Sequence, residues 1–503
     1  MPRTVLIKKD CPWHIAIPMS FTRQVAHNMI YQVVGKVLST ILGLVALGAM
    51  TRYLGTSDFG GYITIISFLQ FFGILVDFGL TLTTVQMISE PNANLQKITS
   101  NIFTFRFFSA LIFLGLAPLV VLFFPYSAAL KVGVTITTLS FFCIALNQVL
   151  VGLFQKKLEM YKVAIAEVIG RVILIVGILL AIYLDRGLLS IMVAVILSSF
   201  LNVFVNYLFS LKYVKIKFDF DFSLWKEIFR RSWPIGLSIL FNLIYLKADI
   251  IILSLSQSQA DVGIYGASYR VLDVLTTFPM MFAGLLLPVL TASWAEKNLE
   301  RFKRVIQKGF DFLMIIIIPT IFGTFFLGER IMALVAGKEF WLSGTILKVL
   351  ILGAGMIFIG TFLGHVIVAV QKQKTMIWGY ASVAIISLLG YIFLIPKYSF
   401  WAAAWITVFS EGAIALLTFL VVYRATKIIP SAKVLLKSIF ASLVMSFVIF
   451  SFKGMNLGIV FSLACVVYFV ALYLIGGFSK EIILEIVGAK KKDDFSSLEG
   501  RVK

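Results

Sequence analysis

The sequence predicts an all-α polytopic membrane protein of about fourteen transmembrane helices. Three observations carry that prediction. Hydrophobic residues make up 60% of the 503-residue chain and charged residues only 14%, against about 25% in soluble domains, and mean hydropathy is +1.00. So little polar surface cannot wrap a globule of this size, so lipid has to be part of the solvent. The apolar residues gather into runs of roughly twenty, the length a helix needs to cross about 30 Å of hydrocarbon. Between the runs, Lys and Arg accumulate in alternate loops.

In order, the spans read 28–50, 60–84, 101–123, 130–152, 163–184, 188–210, 233–255, 264–290, 310–327, 347–370, 376–395, 401–423, 436–452 and 456–477. Uniformly apolar runs of this length favour helix over barrel strands, which would alternate over about ten residues. With the N-terminus placed inside, 31 of the 44 Lys and Arg fall in inner segments and six in outer loops. That asymmetry predicts a cell-membrane protein with both termini cytoplasmic. It also supports an even number of spans, because one missed helix would invert the alternation.

Residues 1–27 carry Lys8, Lys9, Asp10, His14 and Arg23 and lack the apolar core of a cleavable leader. Cys11, Cys143 and Cys465 are far apart, which argues against disulfides and zinc. The formal charge of +20 sits in short loops between apolar runs. It therefore predicts contact with anionic lipid headgroups and not with nucleic acid. The longest inner loop between spans, 212–232, places Leu224, Trp225, Ile228 and Phe229 at helical spacing with Lys226, Arg230 and Arg231 on other faces. It reads as an interfacial amphipathic linker.

The linker separates two repeats. Asp58-Phe59-Gly60-Gly61-Tyr62 returns 203 residues later as Asp261-Val262-Gly263-Ile264-Tyr265, each opening the second span of its half. A weaker echo follows the fourth spans, Phe154-Gln155-Lys156-Lys157 against Val370-Gln371-Lys372-Gln373. The organisation predicted is a cytoplasmic segment 1–27, six helices over 28–211, a linker over 212–232, six helices over 233–423, an added pair over 436–477 and a cytoplasmic tail 478–503. Six is even, so the halves run the same way through the membrane, related by an axis along its normal with a site between them.

These residues carry a resemblance. Thr51-Arg52-Tyr53-Leu54-Gly55-Thr56-Ser57-Asp58-Phe59-Gly60-Gly61-Tyr62 resembles the first outer loop of polysaccharide flippases of the Wzx type, in the multidrug/oligosaccharidyl-lipid/polysaccharide exporter superfamily. So do Asp77-Phe78-Gly79-Leu80, the passage from Lys247-Ala248-Asp249 to Val262-Gly263-Ile264-Tyr265, and Leu394-Ile395-Pro396-Lys397-Tyr398 before Trp401, where Ser399 stands in place of the family's usual glycine. The resemblance covers roughly residues 25–480. It implies a V-shaped pair of six-helix bundles around a central cavity. It implies a flippase, not an enzyme, that moves a lipid-linked oligosaccharide to the outer leaflet. Polysaccharide polymerases and glycosyltransferases are the partners it suggests.

Nine ionisable residues stand out within predicted spans: Lys36, Asp77, Glu167, Arg171, Lys247, Asp249, Arg270, Asp273 and Glu411. At roughly 2.5–3.5 kcal/mol each, lipid exposure of all nine would cost on the order of 25 kcal/mol, more than typical net stability. Most of them must face a cavity or a partner. Lys36, Arg171, Lys247 and Arg270 are the candidate cavity cations, a path that could pass a phosphate across the membrane. Glu167 and Arg171 share a helix face, so an ion pair within span 5 competes with that role. Arg270 and Asp273 pose the same choice in span 8. Lys247 and Asp249 point to different sides of span 7, so at least one should reach another helix. Asp77 and Glu411, with Glu167, Asp249 and Asp273, are coupling or structural carboxylates, and His365 titrates near neutral pH or is held by a hydrogen bond. No metal or nucleotide motif is present, so no cofactor is predicted. Coupling to H+ or Na+ stays open. Pro118, Pro279 and Pro319 permit kinks in spans 3, 8 and 9.

The alternatives are a cation-coupled multidrug antiporter of the same superfamily, a lipid II flippase and, less favoured, a membrane-embedded glycan polymerase or ligase. The last would need a large outer loop with catalytic groups. The longest, about 328–346, offers Glu329, Arg330, Lys338 and Glu339 and nothing that resembles a catalytic set.

Overall fold

The computed structural model describes residues 21–90 and 93–477. Cys11, His14, the start of the N-terminal segment and the tail from 478 lie outside the described residues. The described chain is helix and connector: α1 (Phe21–Asp77), α2 (Leu80–Ser89), α3 (Leu95–Val120), α4 (Ala128–Lys157), α5 (Met160–Tyr183), α6 (Gly187–Ser210), α7 (Phe222–Ser256), α8 (Gln259–Ala295), α9 (Leu299–Val335), α10 (Trp341–Ala369), α11 (Gln373–Thr426), α12 (Lys433–Ser451) and α13 (Leu457–Leu474).

Twelve helical stretches among the described residues are long and apolar enough to cross a membrane. Two of them are double. A helix continues only while every residue stays right-handed, and α1 is broken at Gly55 (φ 65°, ψ −173°), which a missing side chain permits. α11 is broken at Ser399 (φ 50°, ψ −140°). Counting both arms of each gives fourteen segments, in agreement with the predicted spans. Ser399 stands where the resemblance places a glycine, in a conformation that costs a β-carbon about 1 kcal/mol. Ser399→Gly should therefore raise the melting temperature in detergent, and an unchanged or lower value would show that the turn is unstrained.

Starts and stops are local. Asn94, Ser127, Asp221, Ser258, Asn298 and Asn456 accept backbone N–H groups at the first turns of α3, α4, α7, α8, α9 and α13, satisfying orphan donors. The predicted linker differs from its expectation. Residues 222–232 are not a separate helix; they are the opening turns of α7, which runs through Pro234 without a break. The extended segment before them lies along α3. Its backbone is satisfied by Gln96, Ser100, Asn101 and Thr104, a polar stripe at near-helical spacing. Trp225 closes edge-on against Phe105 at 5.4 Å.

Packing places α1 between the halves. Its arms meet α3, α4, α5 and α6 on one side and α7 and α8 on the other. α10 is the core of the second half, in contact with α8, α9 and α11. α12 packs on α9, and α13 packs on α12 and, more lightly, on α9. Their cluster of Ala441, Met445, Ile449, Ala464 and Tyr468 is separate from the main core.

Asp77, at the end of α1, meets Arg106 and Thr81. Arg106, 1% exposed, was not among the predicted candidates. Removing one member of a buried pair costs about 3–5 kcal/mol, because the other charge is stranded, whereas removing both is far milder. Asp77→Ala should lower the melting temperature sharply, and the double change Asp77→Ala with Arg106→Leu should recover much of the loss. Equal losses in the single and double variants would refute the pairing.

Candidate functional site

The repeat pentapeptides meet. Gly60 and Gly263 occupy equivalent positions, and the second arm of α1 crosses α8 at this point. A β-carbon on Gly60 would lie 1.7 Å from the Gln259 carbonyl oxygen, and one on Gly263 would lie 2.0 Å from that of Thr56. Thr56 and Gln259 are themselves 203 residues apart, so the two contacts exchange under the repeat, as a twofold relation requires. Gly266 closes on Ile63, which precedes it by the same offset.

This crossing lies at the predicted outer end, and further contacts between the halves surround it. Thr64 donates to Gln259 Oε1 at 2.8 Å. Phe59 meets Phe340 edge-on at 5.7 Å. Tyr126 and Ser254 share a hydrogen bond of 2.7 Å. Arg52 donates to the carbonyls of Leu334 and Val335 at the end of α9, where the helix dipole favours a cation.

Beneath this seal is a cavity of about 210 Å³. Lys36, Ser39 and Thr40 line it from α1, Arg171 from α5, and Arg270, Asp273 and Thr277 from α8. A cleft of about 10 Å³, formed by Ser67, Gln70, Lys247, Tyr269, Arg270 and Asp273, adjoins it. That is room for about one water, so the wider space ends there. Ser67 and Gln70 are the repeat equivalents of Arg270 and Asp273. The charge at this apex is carried by the second half alone.

The structure thus brings Lys36, Arg171 and Arg270 onto one cavity, with Lys247 on the adjoining cleft. Their partners differ from the simplest reading of sequence spacing. Glu167 does not pair with Arg171 along its own helix. It accepts from Ser39 at 2.7 Å and from Lys36 at 3.5 Å, and Arg171 reaches that group only through Ser39, at 3.4 Å. Asp273 turns from Arg270 to Lys247, 3.0 Å away on α7. Lys247 Nζ also lies 4.0 Å from the Tyr269 ring centre and is fixed by both. Arg270 has the Tyr62 ring at 5.8 Å. Among the described residues, neither Arg171 nor Arg270 has a carboxylate within ion-pair distance. Two carboxylates answer four cations here, which leaves a positive excess in the cavity.

The remaining candidates sit away from the cavity. Asp249 is fully buried and accepts from Tyr265 at 2.5 Å and from the Ile250 N–H at 2.7 Å. Thr407 and Tyr391 of α11 continue that network. Lys247 and Asp249 therefore both reach α8, from opposite sides of α7. Glu411 is buried in the second arm of α11, and its Oε1 has no hydrogen-bond partner among the described residues. His365 Nδ1 is 2.8 Å from the Thr361 carbonyl of its own helix. Among the described residues no cluster of His, Cys, Asp and Glu could hold a metal.

The fold is that of multidrug and lipid-flipping transporters. The chain superposes on the lipid II flippase MurJ in its inward closed conformation with a TM-score of 0.75 and 18% identity, covering 89% of this chain and 99% of MurJ. An inward-facing multidrug transporter of the MATE family gives 0.65 at 15% identity over 79% of this chain and 98% of its own. At these identities the likeness concerns fold alone. Membership is set by sequence: residues 49–344 match the family described as "Polysaccharide biosynthesis protein", and the chain belongs to that family. The capsular polysaccharide biosynthesis protein CapF of Staphylococcus aureus is 26% identical over 212 residues, 42% of this chain and 53% of CapF. The probable low-salt glycan biosynthesis flippase Agl15 of Haloferax volcanii is 26% identical over 126 residues, a quarter of each. The chain thus aligns with about half or less of the length of these curated relatives.

Proposed function

We propose that this chain is a flippase, a transporter and not an enzyme. It carries a polyprenyl-phosphate-linked oligosaccharide from the cytoplasmic to the outer leaflet of the cell membrane, for surface polysaccharide biosynthesis. The observation that carries this reading is the pair of guanidiniums, Arg171 from α5 and Arg270 from α8, that line one cavity with no carboxylate partner among the described residues. A guanidinium presents a planar fork that matches phosphate oxygens. Placing one fork on each half lets an anionic cargo draw the halves together. The glycine crossing closes the predicted outer end, so the cargo enters from the predicted inner end, and alternating access follows when that crossing separates. The family and the two relatives named for glycan biosynthesis support the same cargo class. The Lys and Arg excess in alternate loops supports cytoplasmic termini.

In a cell that makes a surface glycan with this protein, deleting the gene should remove the surface polymer and leave the lipid-linked oligosaccharide in the inner leaflet. Unchanged surface glycan would sink the proposal. The same strains separate the alternatives. A drug antiporter predicts altered drug susceptibility with normal glycan, and a lipid II flippase predicts cell-wall arrest.

A further inference from the structure

The seam between α1 and α5 has two sides. One faces the cavity with Lys36, Ser39, Glu167 and Arg171. The other is an apolar groove of about 490 Å³ between Val34 and Leu38 of α1 and Ile165 and Ile169 of α5, within the roughly 300–1,000 Å³ of small-molecule sites. The groove is shallow because the helices close on each other beneath it. A β-carbon on Gly35 would lie 2.4 Å from that of Ala164. Its mouth, at the predicted inner end, is formed by Tyr31 and Tyr161, with ring centres 6.1 Å apart, a residue type that settles at the headgroup level.

A basic cluster stands beside that mouth, joined to it through Lys162. Lys162 lies 5.8 Å from the Tyr161 ring and 4.5 Å from that of Tyr213. Lys157 and Lys212 approach the same Tyr213 ring at 5.5 and 5.9 Å. Glu159 answers Lys162 at 2.5 Å. Lys157 and Lys212 are exposed and have no carboxylate within ion-pair distance among the described residues. An apolar slot with three lysines to one carboxylate beside its mouth matches an amphiphile with an anionic head.

We propose that this is a loading site, where a polyprenyl phosphate rests with its chain in the groove and its phosphate at Lys157 and Lys212 before the head enters the cavity. The proposal rests on the flippase reading and adds a site to it. The groove runs along a single seam between two helices. A polyprenyl phosphate carries one chain on its phosphate, whereas a diacyl phospholipid carries two. Lys36 follows Gly35 directly, so the dock and the cavity share a wall, and a cargo held in one is beside the other. Burial of apolar surface gives little net gain inside lipid, so affinity comes from close packing in the slot together with the lysines.

The test is undecaprenyl phosphate binding to the full-length protein in phosphatidylcholine nanodiscs. Ile165→Trp fills the groove, Lys157→Gln with Lys212→Gln removes the head contacts, and Leu179→Trp is a control at another lipid-exposed position on α5. Expected are several-fold weaker binding in the first two and wild-type binding in the control. Wild-type affinity in Ile165→Trp overturns the proposal, as does equal weakening in all three. Equal competition by phosphatidylglycerol also overturns it, showing a general lipid contact. No binding to the wild-type protein defeats the flippase reading itself, and the dock with it. Binding that Arg171→Gln with Arg270→Gln abolishes while Ile165→Trp leaves it intact keeps that reading and removes only the dock.

Discussion

Alanine at Gly60 or at Gly263 is expected to stop transport by preventing the predicted outer end from closing. Each β-carbon would fall within about 2 Å of a backbone oxygen of the facing helix, and backbone cannot rotate away as a side chain would. Overpacking of this kind costs about 1–3 kcal/mol, which lowers the closed-to-open ratio by about 5- to 150-fold. The fold itself should survive, because the clash is relieved by separating the two halves. A cysteine placed at Gln70, just beneath the seal, should then become reactive to a membrane-impermeant thiol reagent added outside. Wild-type labelling with wild-type transport would show that the crossing is not a gate. The two variants should behave alike, because the contacts exchange under the repeat.

The second large effect is at the arginines. Arg171→Gln and Arg270→Gln each remove a guanidinium that has no carboxylate within ion-pair distance among the described residues. A charge-assisted hydrogen bond contributes about 1.5–3 kcal/mol, so each change should weaken cargo binding by about 10- to 100-fold while protein stability barely moves. The lysines should differ from this pattern. Lys247→Gln removes the ion-pair partner of Asp273, and Lys36→Gln that of Glu167, which keeps Ser39 as a donor, so stability and transport should fall together, more in the first variant than in the second. Titration of a lipid-linked oligosaccharide against purified protein, beside melting curves in detergent, separates the two patterns. A large stability loss in Arg270→Gln would mean that its role is structural.

The helices were legible because hydrocarbon imposes one simple constraint, about twenty apolar residues per crossing. Loop charge gave their alternation. The pentapeptides marked the repeat, but their meaning needed the third dimension, since nothing in Asp58-Phe59-Gly60-Gly61-Tyr62 says that Gly60 will lie against Gln259. The candidate cavity cations were visible as charges too costly to leave in lipid. Their partners were not. Spacing of three and four along a helix allows Glu167–Arg171 and Arg270–Asp273, yet Ser39 and Lys36 from α1 and Lys247 from α7 take the carboxylates instead. Arg106 was readable and missed. It interrupts an apolar run, Phe103-Thr104-Phe105-Arg106-Phe107-Phe108, and so required a buried acidic partner, which Asp77 supplies. Lys348, at 2.6 Å from Glu329, is a similar case. The amphipathic spacing of 224–229 was legible as helix, but not its continuation into the following apolar run as one helix.

Transport by this route needs an anionic lipid-linked oligosaccharide to cross the bilayer through a cavity with one arginine on each half. Proteoliposomes loaded with a labelled undecaprenyl-pyrophosphate oligosaccharide test this directly, with the sugar in the outer leaflet read by a membrane-impermeant glycosidase or lectin. The account predicts rapid equilibration between leaflets with the wild-type protein, and rates near those of empty liposomes with Arg171→Gln plus Arg270→Gln. Equal rates for wild-type protein and empty liposomes, or full activity in the double variant, would contradict it.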